Sequence, residues 1–381
     1  MSVRRRRGHG EGSIFRRADG LWVGMLDLGW VNGKRLRRAC YGKTRAEVVA
    51  RLTELQRTRR AGVDLTAKPR TVEEWLIEWL RDIKSTDGTR PSTLDRYHQV
   101  VRRHLIPGLG TCRLEKLSAR GVRQFLTARQ ANLSAGSIAK IHAVLRSALS
   151  DAVRFDLIER NVAKAVKVAG AAAQERRVPT VDEIQKFLSA AADDRLGELF
   201  VLAVTLGLRR GELLGLQWPD LSLTDRTLFV RRTVQRSGGE LRVTEPKTRR
   251  SRRRLHLPRL AVEALERQHV RQDNERAAAG CAWQENGWVF ASTIGTAMEP
   301  RNVSHRFELI RAKVGMEWLH LHDLRHACGS YLLAEGVDPR TVMEVLGHSA
   351  FRLTMDTYAH VLTKQLDHAA DAMDRALGGE A

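Results

Sequence analysis

Long apolar runs are absent from this chain of 381 residues. None approaches the roughly 20 apolar residues of a membrane-spanning helix, which argues against an integral membrane protein. Residues 1–10 are basic but have no apolar segment behind them, so no secretory signal is expected there. Cysteine is sparse: Cys40, Cys112, Cys281 and Cys328 lie far apart and form no C-x-x-C pair. That speaks against a zinc ribbon or a disulfide scaffold and fits a reducing cytoplasm. Long internal repeats and an H-E-x-x-H helix are also missing. The last shortage is acidic: 44 Asp and Glu face 65 Lys and Arg, a net charge of +21. Such an excess implies an anionic partner, most simply nucleic acid. What remains is ordinary for a globular protein: 43% hydrophobic residues, in a length that suits two or three domains.

The charge is unevenly spread. Residues 1–64 hold 16 basic against 6 acidic side chains, and residues 65–170 hold 19 against 10. The remainder holds 30 against 28, nearly neutral. Two N-terminal segments are therefore expected to supply most of the affinity for nucleic acid, and the C-terminal segment to concentrate its charge at one site.

Local pattern divides the chain in the same way. After the Arg4–Arg7 run come three strand-like segments, 13–17, 21–29 and 34–41, separated by Asp19-Gly20 and Asn32-Gly33 as hairpin turns. The third is basic, with Arg35, Arg37 and Arg38, and a helix is expected from Thr44 to Arg60. A small sheet of this kind can enter the major groove; a structural sheet with a solvated basic edge is the plainer alternative. Residues 71–165 show apolar spacing of three and four, the mark of four or five helices. Residues 166–178 read as a linker, and Thr180-Val-Asp-Glu183 opens the next domain with a capping box. Strands are expected at 228–235, 240–243 and 252–257, with helices from Pro258 onward.

Six residues in the C-terminal half carry the chemistry. They are Arg209 in G-L-R-R-G-E, Lys247 in E-P-K-T, His322 and Arg325 in H-D-L-R-H, His348 in L-G-H-S, and Tyr358 in D-T-Y-A-H-V. Guanidiniums are permanently charged and bidentate, which suits them to a phosphate. Lysine and histidine can move protons, and a tyrosine can attack once its proton is removed. A metal reading is also open, because His322 and His326 stand four apart with His320 nearby. No carboxylate or cysteine arrangement completes such a set.

In this order and spacing the motifs resemble the catalytic domain of the tyrosine recombinases, the phage-integrase family, over about residues 175–365 and more loosely elsewhere. The resemblance implies a mainly α chain with small β-sheets (α+β) in three domains. These would be an arm-type DNA-binding domain at 1–64, a helical core-binding domain at 65–165, and a catalytic domain at 179–381 that ends in an exchange helix at 362–377. It selects Arg209 over Arg210 and makes Glu212 its supporting partner. It assigns Tyr358 as nucleophile, His322 as general base, Lys247 as general acid and His348 as a hydrogen-bond donor to phosphate. Arg249, Arg250, Arg252 and Arg253 become contacts to the DNA backbone. No cofactor and no metal are implied. The expected partners are double-stranded DNA at core and arm sites, three further copies of the chain, and a directionality factor or host DNA-bending protein, in a bacterial cytoplasm. A type IB topoisomerase or a non-catalytic DNA-binding regulator would use the same fold.

Overall fold

The computed structural model of the chain describes residues 12–31, 33–60, 65, 69–169, 177–246 and 251–347. Two compact units result, Met1–Gln174 and Glu175–Ala381. Among the described residues no helix is long and apolar enough to cross a membrane.

The first unit opens with an antiparallel sheet, β1 (Ser13–Arg16), β2 (Trp22–Val31) and β3 (Lys34–Gly42), in sequential order. The helix α1 (Arg45–Arg60) covers one face, burying Leu26 and Leu52 with Leu65. Strand alternation assigns the arginines of β3 to opposite faces. Cys40 packs in this small core, and Arg38, on the same side, donates to the Leu65 carbonyl at 2.9 Å. Arg35 and Arg37 lie on the open face with Phe15, Trp30 and Tyr41, of which Trp30 is 72% exposed. There Arg35 donates to Asp27 at 2.9 Å, and that hydrogen bond holds the Asp27 carboxyl down at about 2.

The rest of the unit is a helical bundle. Thr71 caps α2 (Val72–Glu78) through a full capping box, and a π-helical turn, Trp79–Lys84, continues it. Pro91 begins α3 (Pro91–Val100), because proline is pre-organised for the first helical position. Then follow α4 (Ile106–Leu109), α5 (Ala119–Arg129) and α6 (Ala135–Arg154). Trp75 and Trp79 are buried at its centre and both indole N–H groups find acceptors, the Ala148 carbonyl at 3.0 Å and Asp151 at 2.7 Å.

The second unit is built on α7 (Val181–Ala191), capped by Thr180 and Glu183 as its sequence predicts, and α8 (Gly197–Leu206). Apolar on nearly every side, α8 is buried, and Phe200 meets Phe187 and Phe307 at ring distances of 5.6 and 5.7 Å. Its buried Glu198 takes a bidentate bond from Arg267, both distances 2.9 Å. Next come α9 (Arg210–Leu214), β4 (Leu221–Ser222), β5 (Thr227–Val230), β6 (Thr233–Ser237), β7 (Glu240–Thr244) and β8 (Arg253–His256). The run 228–235, expected as one strand, divides: β5 pairs with β4 and β8, whereas β6 pairs with β7. The break falls at Arg231 and Arg232, both bonded to Asp220, whose side chain is 4% exposed. Satisfying that buried carboxylate turns the chain from one sheet to the other. Four helices follow among the described residues: α10 (Arg259–Ala279), α11 (Pro300–Lys313), α12 (Leu321–Ala334) and α13 (Pro339–Leu346).

Candidate active site

Two helix ends make the site. Both α8 and α13 stop at a glycine in the left-handed conformation, Gly207 with φ +58° and Gly347 with φ +64°. Such ends leave backbone carbonyls without helical partners and carry partial negative charge. Neither glycine tolerates a side chain: a Cβ on Gly207 would stand 2.4 Å from Leu346, and one on Gly347 would stand 2.8 Å from Arg253.

Arginines meet these carbonyls. Arg325, from α12, is 2% exposed and donates through Nη1 to Gly207 and through Nη2 to Leu346, each at 2.5 Å. One cation thus ties together the negative ends of α8 and α13. Arg209, two residues past Gly207, donates through Nη2 to the Gly347 carbonyl at 3.2 Å. Residues 116 positions apart in the chain therefore converge on adjacent carbonyls, next to His348 in the sequence. Contacts of a cation with a helix end stabilise by about 1 kcal/mol, up to about 2 where partly buried.

Glu212 anchors this arrangement from below. Its carboxylate accepts from the Arg209 backbone at 3.1 Å and from Arg209 Nη1 at 2.7 Å. Arg253 Nη2 approaches it from the other side at 3.1 Å. Burial pushes the Glu212 carboxyl up, but the charges of Arg253 and Arg209 outweigh burial and hold it below the ordinary carboxylate range. Removing one partner from such a buried set costs about 3–5 kcal/mol, because it strands a charge. Arg209 itself remains 38% exposed and can meet a ligand.

Arg210 points elsewhere and bonds Ser304, which separates it from its neighbour. His322 sits in the first turn of α12, exposed, on the rim of a cavity of about 260 Å³ shared with Arg210, Ser304 and Leu208. Its ring meets that of His326 edge to face at 4.8 Å. The α12 N-terminus is fixed by Asp323, which accepts from the His320 backbone at 2.8 Å. Tyr331 on α12 is committed to the Pro179 carbonyl at 2.8 Å, and burial pushes its phenol up to about 12, unsuited to attack. Lys247, Arg249, Arg250, His348, Tyr358 and the segment 362–377 lie outside the described residues.

Two expected DNA contacts are corrected: Arg38, on the α1-covered face of the sheet and bonded to the Leu65 carbonyl, and Arg253. Arg253 has a side chain only 7% exposed, engaged by Glu212, Val345 and Ser251. The signal was in the sequence: Arg253, Leu255 and Leu257 alternate with Arg252, Arg254 and His256, and a period of two puts Arg253 inward with the leucines. Arg252 is half-exposed and pairs with Glu245.

Comparison with known proteins fits this geometry. Residues 177–365 match the phage integrase family, and residues 71–128 match the phage integrase N-terminal SAM-like domain. An integrase of Streptomyces ambofaciens is 30% identical, with 98% of each chain covered. One of Saccharopolyspora erythraea is 28% identical over 99% of both. Among solved structures, the Tn1549 transposon integrase in complex with a circular intermediate DNA superposes with a TM-score of 0.67 at 20% identity, covering 81% of this chain and 99% of that one. A lambda integrase tetramer bound to a Holliday junction gives 0.58 at 20% identity, covering 92% and 96%.

Proposed function

Because the chain belongs to the phage integrase family of tyrosine recombinases, DNA breaking-rejoining enzymes, we propose that it recombines phage or mobile-element DNA at specific sites through Tyr358. The supporting observation is the convergence of Arg209 and Arg325 on the adjacent carbonyls of Gly347 and Leu346. Two permanent cations gathered in one place suit the negative charge that develops on a phosphate under attack.

In this reading the Tyr358 phenol oxygen attacks the scissile phosphorus as its proton passes to a base, for which His322 stands at the head of α12. The bond to the 5′-oxygen breaks, and Lys247 supplies the proton that makes it a hydroxyl. A 3′-phosphotyrosyl link results and conserves the energy of the broken bond, so no nucleotide cofactor is consumed. Attack by a partner strand's 5′-hydroxyl reseals the DNA and frees the tyrosine. Two such rounds pass through a Holliday junction and require four protomers on two duplexes. The segment 362–377 would dock on a neighbouring protomer, and the sheet of β1–β3 would grip arm sites through Arg35 and Arg37. A directionality factor or DNA-bending protein would set the direction, in the bacterial cytoplasm.

A nicked suicide substrate tests the reading. Wild-type protein is expected to accumulate a covalent protein–DNA adduct, and Tyr358→Phe to bind the same site without forming one. Adduct at wild-type yield from the variant would overturn the assignment. Relaxation of supercoiled plasmid by a single protomer, without strand exchange, would favour a topoisomerase.

A further inference from the structure

We propose that Arg253 is a positioning residue of the cleavage site, holding Arg209 through Glu212 and holding the end of α13 through Val345; the proposal rests on the function given above. Three successive carbonyls at the end of α13 each receive a different arginine: Val345 from Arg253 at 2.7 Å, Leu346 from Arg325 at 2.5 Å and Gly347 from Arg209 at 3.2 Å. The proposed function has Arg209 and Arg325 meet the phosphate, whereas every side-chain nitrogen of Arg253 already has an acceptor within the protein. Its Nη2 is on Glu212, its Nε on Val345 and its Nη1 on Ser251. Gly347 lies against this guanidinium so closely that a Cβ would stand 2.8 Å from Nη1 and 3.1 Å from Cζ. The next residue in the chain is His348.

Two consequences follow from the charges. Glu212 is 4% exposed and lies between Arg209 and Arg253. With Arg253 in place the carboxylate is balanced on both sides, and Arg209 keeps a partly exposed guanidinium for the phosphate. Without it Glu212 would draw Arg209 alone, pulling charge away from the phosphate, and the α13 end would lose its bond at Val345. Lysine cannot replace the fork, because one ammonium cannot reach Glu212 and both carbonyls along fixed directions.

Single-turnover cleavage of a nicked suicide substrate at saturating DNA separates this role from a DNA contact. Arg253→Met is expected to lower the cleavage rate constant by about 100-fold while DNA affinity stays within about threefold, the pattern of misplaced groups rather than lost binding. Arg253→Lys is expected to recover part of the rate. Adding Glu212→Gln to Arg253→Met removes the stranded charge, so the double variant is expected to be no slower than Arg253→Met alone. A purely structural role would reduce the reacting fraction but leave its rate constant unchanged, and would overturn the proposal. So would a weaker affinity and a smaller salt slope with the rate constant intact. If Arg253→Met does not fold, Arg253→Lys carries the same test. If the wild-type chain forms no adduct, it is the function that fails. The pairing is then read from melting temperatures of the two single variants and the double, and additive losses would overturn it.

Discussion

Residues 1–174 carry a net charge of +19 and residues 175–381 only +2, yet the second unit is the one with arginines buried at its candidate site. In the first, Arg57 and Arg81 are 66% and 72% exposed, and their ion pairs with Glu54 and Asp82 lie at the surface. Pairs of that kind contribute little to stability and are weakened by salt. In the second, the side chains of Arg253 and Glu212 are 7% and 4% exposed, and Arg325 is 2% exposed. The contrast separates two uses of positive charge. A diffuse excess attracts a polyanion from a distance and adds affinity in proportion to the phosphates it meets. Catalysis needs few charges, fixed and shielded from water, where each acts strongly on one phosphate.

The sharpest way to break this comparison is to remove a buried charge. Arg209→Ala and Arg325→Ala are each expected to slow adduct formation by about 100- to 1,000-fold. Arg325→Ala should also lower the melting temperature by more than Arg209→Ala, since its buried guanidinium bonds carbonyls at the ends of both α8 and α13. Equal rates for Arg325→Ala and wild type would mean that its role is only structural.

A smaller effect is expected from Glu212→Gln, about 3 kcal/mol of stability at pH 7, because it strands Arg253 in the interior. The Glu212 carboxyl is held below its ordinary value by Arg253 and Arg209 against the opposing effect of burial. Its contribution is therefore present above the unfolded carboxylate value, near 4.3, and lost as pH falls through the lower folded value. The gap in melting temperature between wild type and Glu212→Gln should stay constant from about pH 8 to 5 and close below about pH 4. A gap already closing near pH 6 would mean that burial prevails over the arginines.

Surface charge should give a weaker and different signature. Arg37→Ala is expected to reduce the salt slope of DNA binding by about one and leave the cleavage rate constant unchanged. An unchanged slope would remove the open face of β1–β3 from the DNA interface. The smallest effect expected is none: cleavage should persist in excess EDTA, since Arg209, Arg325, Lys247 and His348 supply the positive charge and donors. Activity lost on chelation and restored by zinc would favour metal at His322 and His326 instead.

Much of the fold was legible in the sequence because its signals are local. The Asp19-Gly20 turn leads into β2, and Thr71 and Thr180 each cap a helix with a glutamate three residues on. The break between β5 and β6 was not legible, because it answers to Asp220, a carboxylate from another part of the chain. Arg253 lay between these cases. Its inward direction follows from alternation with Leu255 and Leu257, but five arginines between 249 and 254 make the segment look like surface throughout.

By itself, then, the sequence determined which residue types are available for phosphate chemistry and in what order, since motifs and strand or helix periods are properties of neighbouring residues. It marked Arg209 and Arg325 but gave no reason for their meeting. Tertiary structure alone decided that Gly207 and Gly347 bring two helix ends together and that three arginines converge on the carbonyls of Val345, Leu346 and Gly347. The physical reason is that helix-end carbonyls must find donors once they leave water. Which donors reach them depends on packing among segments as far as 138 residues apart, and no local pattern records that.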